Sequence, residues 1–251
     1  MKQYIILLKK DFMELYRTKK ILIIAFIFIL FALASPILAK MTPELLKSMG
    51  DNIQIIMPEA TIVDSYVQFI SNISQICSFA MIIVFGGLIV KERKSGQYNI
   101  LQNNGVTKKN FVLSKITTQI LVVTIIYIIS CLMFCFYNYV LFDAFLVKYS
   151  ILSLTAIYIY LLFVISLINF YSVLAKSNIM SIVLSFSTII LIALFDMFEF
   201  GKYLPNYLLS IGANIFNDQI YLEFACKNIL ITLLLSAFMI CISIKLCKNK
   251  D

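Results

Sequence analysis

Long uncharged stretches alternate along this chain with short charged segments. Six of the stretches are long and apolar enough to cross a bilayer, or nearly so, a crossing that takes about 20 helical residues. They run Ile21 to Ala39, Ser65 to Val90, Ile116 to Phe142, Tyr149 to Ala175, Ser177 to Phe195, and Asn228 to Ile244. Backbone amides in lipid must bond within the chain, so we predict transmembrane helices and an all-α integral membrane fold. The short alternating segments of a β-barrel are missing from the sequence.

The composition supports this assignment and narrows the class of protein. Of the 251 residues, 61% are hydrophobic and 14% are charged, whereas a soluble domain carries roughly 25% charged residues. The net charge of +8 suits lipid headgroups better than nucleic acid, because the basic residues lie beside the apolar stretches. We expect one membrane domain over residues 1–251. We expect no cleavable signal, because Met1 to Lys20 is charged throughout.

The lysines and arginines predict the orientation. With both chain ends on one side, 16 of the 21 basic residues fall on that side, in the two terminal segments, in residues 91–115 and at Lys176. Basic residues accumulate on the cytoplasmic side of membrane proteins. We therefore expect a multi-pass protein of the plasma membrane with cytoplasmic N- and C-termini.

The segment from Met1 to Lys20 has the pattern of an amphipathic helix. Ile5, Leu8, Phe12 and Leu15 recur at three- and four-residue spacing. Such a helix suits the headgroup layer as an elbow before the first span. The alternative is a basic flank that only sets the topology.

The segment between the second and third stretches is the most informative. Gly96 and Gly105 bracket a short run with Tyr98, Ile100 and Leu101 as apolar anchors, and Thr107 is placed to cap the next helix. A short helix held between glycines would offer a handle to a cytoplasmic partner. A basic loop with an incidental helical turn fits the spacing equally well.

This segment resembles the first cytoplasmic loop of the type-2 ABC exporter permeases. In that family a glutamate closes the second span, and a glycine, a short coupling helix and a lysine entering the third span follow. Glu92, Gly96, Leu101, Lys109 and Lys115 match that order. The chain departs from the pattern at residues 103–105, where the family often has a small residue and a proline, and at Ile100, which replaces a leucine.

The resemblance implies two sets of site residues. The residues that would couple to an ATPase are Glu92, Gly96, Gln97, Tyr98, Ile100 and Leu101. The family also carries an outer re-entrant segment between spans five and six, a role that suits the apolar stretch within residues 196–227. Its outer-gate residues would be Phe198, Glu199, Phe200, Gly201 and Pro205. The alternative is an outer loop packed on its own helix ends.

The sequence lacks the chemistry that would drive transport by itself. It contains no phosphate-binding loop and no histidine, so we expect no enzyme and no cofactor in this chain. ATP and Mg would sit on two partner ABC ATPase subunits. A second permease, identical or homologous, would complete the path. With no ionisable residue in mid-span, we expect an apolar, aromatic-lined route for a hydrophobic or amphipathic substrate: an antimicrobial peptide, a drug or a lipid-like molecule.

Two further alternatives remain at this stage. The chain could instead be a non-transporting membrane anchor or a sensor scaffold for a cytoplasmic partner. Cys131 and Cys135 are four residues apart and share a helix face, which raises the question of a metal pair. With no histidine or nearby carboxylate, we interpret both thiols as small hydrophobic groups.

Overall fold

The computed structural model describes residues 2–49, 60–144, 148–196, 198–216 and 220–248, with side chains except at residues 2, 44–49, 199–200, 220–223 and 248. In these ranges the chain is helical and has no strand, which confirms the all-α prediction. The elements are α1 (Lys2–Arg17), α2 (Lys20–Met49), α3 (Ile62–Asn72), a π-helix (Ile73–Cys77), α4 (Ser78–Phe85), α5 (Leu88–Lys94), α6 (Gln97–Asn103), α7 (Lys108–Phe142), α8 (Ser150–Leu174), α9 (Asn178–Phe195), a 3-10 helix (Glu199–Tyr203), α10 (Tyr207–Asn214) and α11 (Ile220–Lys248).

Six helical segments in the described ranges are long and apolar enough to cross a membrane. They are Lys20–Pro43, Ile62–Lys94, Lys108–Phe142, Ser150–Leu174, Asn178–Phe195 and Phe224–Cys247. Each overlaps one of the six predicted stretches, so the number of candidate spans is confirmed. The helix of the first span, α2, is longer than the predicted stretch. It continues past Ala39 to Met49, with Pro36 and Pro43 inside it.

The second span is a composite of α3, the π-helix, α4 and α5. In the π-helix the repeat widens to five residues, and the Ser78 hydroxyl donates to the Ile73 carbonyl at 3.2 Å. The second break falls at Gly86 and Gly87, between α4 and α5. Gly87 has φ +76°, and a Cβ there would lie 2.7 Å from the Asn178 Cα. Only glycine fits this close approach between the second and fifth spans.

Side-chain caps set two of the helix starts. Thr107 caps α7 as predicted, because its hydroxyl accepts from the Asn110 amide at 3.3 Å. Ser177 caps α9 by accepting from the Met180 amide at 3.1 Å. Only residues 175–177 therefore separate α8 from α9, so the fourth and fifth spans form a tight hairpin.

Helix α8 lies at the centre of the bundle and packs against α4, α7, α9, α10 and α11. Most of its side chains are buried, among them Phe163, Val164 and Leu167. A reciprocal polar pair joins it to α7: Asn169 Nδ2 donates to Gln119 Oε1 at 2.6 Å, and Gln119 Nε2 donates back to Asn169 Oδ1 at 3.4 Å. Both side chains are 1% exposed, so each amide satisfies the other where water is excluded.

The two ends of the bundle carry different elements. One end, called the α6 end here, carries α1, α6, residues 175–177 and the last turns of α11, where Cys247 packs with Ile89 and Tyr98. The first and last helices of the chain therefore meet at the same end. The opposite end, called the α10 end, carries the 3-10 helix, α10, the end of α7 and the start of α8.

The approach at Gly87 makes a testable prediction, with Gly96 as its control. Both residues have positive φ, +76° and +73°, but a Cβ at Gly96 meets nothing within 4 Å. Alanine costs about 1–2 kcal/mol of backbone strain at either position. At Gly87 the overlap with Asn178 adds about 1–3 kcal/mol. In detergent, the midpoint temperature of thermal unfolding should therefore be clearly lower for Gly87→Ala than for Gly96→Ala. Equal midpoints would contradict the close packing at Gly87.

Candidate functional site

A cluster of charged side chains lies inside the α6 end, centred on Lys115 of α7. The Lys115 side chain is 3% exposed, and its Nζ donates to Asp11 Oδ1 at 2.9 Å and to Glu92 Oε1 at 2.8 Å. Glu14 Oε2 lies 3.6 Å away. Lys10 Nζ reaches the same two acids, at 2.7 Å from Glu92 and 3.3 Å from Asp11. Two ammonium groups thus bridge α1, α5 and α7.

Helix α1 is oriented by this cluster. Leu7, Asp11 and Leu15 are buried, 2–3% exposed, whereas Ile5 and Phe12 of the predicted stripe are 64% and 47% exposed. The packed face is therefore centred on Asp11; Leu15 of the predicted stripe lies on it, Leu8 is partly buried, and Ile5 and Phe12 lie off it. Asp11 is held doubly, because its Oδ2 also accepts from the Ser114 hydroxyl at 2.7 Å. The ion pair between Asp11 and Lys115 holds this face of α1 against the bundle.

Glu92 occupies the innermost position of the cluster. It is 1% exposed, and its Oε2 receives no hydrogen bond from an amine, amide or hydroxyl of the described residues. Glu14 is the nearest source of a proton. Burial raises the pKa of the Glu14 carboxyl above its usual value, Lys115 opposes this, and a hydrogen bond to Glu92 reinforces it. A protonated Glu14 can donate to Glu92 and leave the cluster near neutrality.

The three carboxylates also meet the distance condition for a metal site. Oxygens of Asp11, Glu14 and Glu92 lie within 4.8 Å of one another. Their charge, however, is already matched by Lys10 and Lys115, which contact Asp11 and Glu92 directly. A divalent cation would have to displace two ammonium groups. The arrangement is that of a buried ion-pair network, which fixes relative positions once all its members are present.

The predicted coupling residues begin with Glu92 of this cluster and continue along the chain into α6. Gly96 has φ +73° and turns the chain from α5 into α6. Arg93 anchors the turn by donating to the Val173 carbonyl of α8 at 2.9 Å. Helix α6 ends at Asn103, and the Asn104 side chain donates back to the Ile100 carbonyl at 2.9 Å. Helix α6 therefore ends in a polar turn without a proline.

Helix α6 has one packed face and one open face. Tyr98 is buried against Phe111, with ring centroids 4.9 Å apart, and Leu101 packs on the same cluster. Burial raises the pKa of Tyr98 to about 12. Gln97 is exposed, and Ile100 is 62% exposed. The geometry brings Glu92, Tyr98 and Leu101 into the bundle, leaves open space beside Gly96 at the turn, and places Gln97 and Ile100 at the surface.

The predicted outer-gate residues lie at the α10 end and are only partly gathered. Phe198 is 61% exposed, whereas Gly201 and Pro205 are buried. The side chains of Glu199 and Phe200 lie outside the described residues. Asp196 accepts a hydrogen bond from Asn206, and burial raises the pKa of Asp196 while that bond opposes it.

Helix α10 explains why this segment is so apolar. Leu208, Ile211 and Gly212 are buried, and α10 packs against α3, α8 and α11. The Ser153 hydroxyl donates to the Gly212 carbonyl at 2.9 Å. The apolar residues of the segment thus include the packing face of a short helix that docks between the spans.

A polar-lined cavity of about 380 Å³ opens beside α10, and the sequence reasoning missed it. Its walls come from the second span at the π-helix, from α8, from α9 and from α10. The polar side chains that line it are Ser71, Ser74, Gln75, Asn206, Ser210 and Asn214. The sequence signal was the run of polar residues within the second apolar stretch, which includes Ser71, Ser74 and Gln75. The widened π-turn carries Ser74 and Gln75, which helical spacing alone does not place.

Several other polar groups within the spans form hydrogen bonds inside the protein. Thr124 and the Tyr158 hydroxyl lie 2.7 Å apart, and Tyr127 donates to the Leu154 carbonyl at 2.7 Å. These side chains border an apolar groove of about 470 Å³ between α7 and α8, which Cys131 and Cys135 also line. Their apolar surroundings agree with the interpretation of these thiols as hydrophobic groups.

Comparisons with protein-family models, with curated proteins and with solved structures each found no match for this chain. The site is therefore interpreted from its own geometry.

The cluster predicts unequal roles for its two lysines. Lys115→Met removes the shared counterion of buried Asp11 and Glu92 and should cost about 3–5 kcal/mol. Lys10→Met removes a side chain that is 34% exposed, and its pair is worth about 1 kcal/mol or less. Thermal unfolding in detergent should rank wild type, Lys10→Met and Lys115→Met in that order of decreasing stability. Similar losses for both variants would show that Lys115 is not the centre of the network.

Proposed function

We propose that this chain is the permease subunit of an ATP-binding-cassette exporter, with the α6 end in the cytoplasm of the cell and the α10 end outside. Two permeases, identical or homologous, would pair in the plasma membrane and sit on two ABC ATPase subunits that carry ATP and Mg. The basic residues of α1, α5 and the first turn of α7 support this orientation. Helix α1 would then be the elbow helix of the headgroup layer.

The observation that carries the proposal is the way α6 is attached to the bundle. Its exposed face, with Ile100 and Gln97, is a surface that a partner can push, and its buried face is joined to α7 through Tyr98 and Phe111. In α5, just before α6 in the chain, Glu92 accepts hydrogen bonds from Lys115 and Lys10. A displacement of α6 would therefore act on α1, α5 and α7 together, which is what an ATPase-driven movement requires.

The α10 end supports the transport half of the proposal. The cavity beside α10 meets the second, fourth and fifth spans and offers hydroxyl and amide groups next to apolar side chains such as Ile70, Phe79 and Ile189. That mixture suits an amphipathic molecule better than a purely apolar one. The segment over residues 196–216 would be the re-entrant gate above this route.

Ile100→Asp tests the docking of an ATPase on α6. The full chain is affinity-purified from its own membranes, and co-purifying ATPase is quantified. Truncating or charging an exposed apolar anchor costs about 2 kcal/mol in an interface, so we expect about thirtyfold less ATPase with Ile100→Asp. Asn99→Asp is the matched control, since Asn99 is its exposed neighbour on the same helix and should retain the partner.

The outcomes separate the alternatives. Equal retention by both variants would remove α6 from the interface. No co-purifying ATPase with the unmodified chain, and no substrate-dependent ATP hydrolysis in reconstituted vesicles, would favour the non-transporting anchor or scaffold.

A further inference from the structure

A second cavity lies at the α6 end, between α1 and the junction of α5 with α6. It measures about 400 Å³ and is lined by Lys10, Met13, Glu14, Arg17, Thr18, Lys91, Glu92, Ser95 and Gln97. Cavities that hold small ligands start at about 300 Å³. The lining from α1 follows the spacing of one helix face, at residues 10, 13, 14 and 17. The cavity is thus a preformed space between two ordered elements.

The charges of this cavity are of both signs and are not all paired. Lys10 is bonded to Glu92 and contacts Asp11. Arg17 and Lys91 are exposed, and neither side chain has an ion pair or hydrogen bond within the described part of the chain. On the acidic side, Glu92 is 1% exposed, and the neighbouring Glu14 carboxyl is the source of a hydrogen bond to it. The cavity therefore offers two unpaired cations and a pair of adjacent carboxyl groups.

The exposed apolar face of α1 borders this cavity. Ile5, Ile6, Phe12, Met13 and Tyr16 are each 46–67% exposed, and Met13 is also part of the cavity lining. An apolar helix face beside charged side chains is the arrangement that lies at the headgroup boundary of a bilayer. A molecule that reaches the cavity from the apolar face would bring acyl chains with it.

We propose that this cavity binds the headgroup of an aminophospholipid. The phosphate lies between Arg17 and Lys91, and the primary ammonium donates to the carboxyl groups of Glu14 and Glu92, in place of the hydrogen bond between those two groups. The bound lipid then fills the space between α1 and α5. This site rests on the six-helix membrane assignment and is independent of the proposed transport function.

The chemistry selects this headgroup over two common ones. A choline ammonium carries no N–H, so it cannot donate to Glu14 or Glu92 and forgoes that charged hydrogen bond. A glycerol headgroup brings a phosphate but no cation, so it makes no charge-assisted hydrogen bond with Glu14 or Glu92. Only a headgroup with both an anion and an N–H cation matches both sides of the cavity.

Native mass spectrometry of the detergent-purified full chain tests the proposal. The chain is titrated with phosphatidylethanolamine, phosphatidylcholine and phosphatidylglycerol of identical acyl chains. We expect occupancy by phosphatidylethanolamine to exceed the other two by about tenfold, the equivalent of one charged hydrogen bond. Arg17→Gln with Lys91→Gln should reduce that occupancy by about tenfold or more. Glu14→Gln should reduce the preference for ethanolamine over choline.

Lys94→Gln is the matched control, because Lys94 is exposed on the same turn and does not line the cavity. It should leave all three occupancies unchanged. Equal binding of the three lipids, preference for phosphatidylglycerol, or equal effects of the cavity and control variants would each overturn the proposal. The experiment needs no ATPase, so its failure would leave the transport proposal standing. Thermal unfolding of each variant shows that lost binding is not lost folding.

Discussion

A lysine ammonium buried at the end of three helices is the constraint on which the α6 end depends. Lys115 is 3% exposed, and a charge so placed is tolerated only while its counterions stay within contact. Those counterions come from two other elements, Asp11 of α1 and Glu92 of α5. The position of α1 against α7, and that of the turn into α6, therefore follow from satisfying one ammonium group.

The positions of α6 and α8 can be described relative to this end of the bundle. Helix α6 inherits its position from Glu92 and Gly96 and keeps Ile100 open to a partner. Helix α8 carries the packing toward the α10 end, where a π-turn and a docked short helix leave a polar cavity. One end is thus rigid through charge, and the other is shaped around an open space. This division suits a protein that converts movement at one end into access at the other.

The sequence predicted what local patterning controls. Six apolar stretches gave the six candidate spans, and Thr107 gave the start of α7. It did not predict that Asp11 would face Lys115, because a carboxylate on an amphipathic helix is stable in water as well, and only tertiary contacts decide where it lies. The π-helix was missed for a related reason: one extra residue in a turn leaves no mark in hydropathy, yet it moves Gln75 relative to its neighbours.

Hydrogen exchange at the amides of α1 tests the central claim most directly. The full chain with Lys115→Met is compared with the unmodified chain and with Lys94→Met, whose lysine is exposed outside the cluster. If the buried network holds α1 to α7, Lys115→Met should speed exchange across α1 and α6 while α8 stays protected. The loss of about 3 kcal/mol would raise local opening by about a hundredfold. Unchanged exchange in α1 with Lys115→Met would contradict the account.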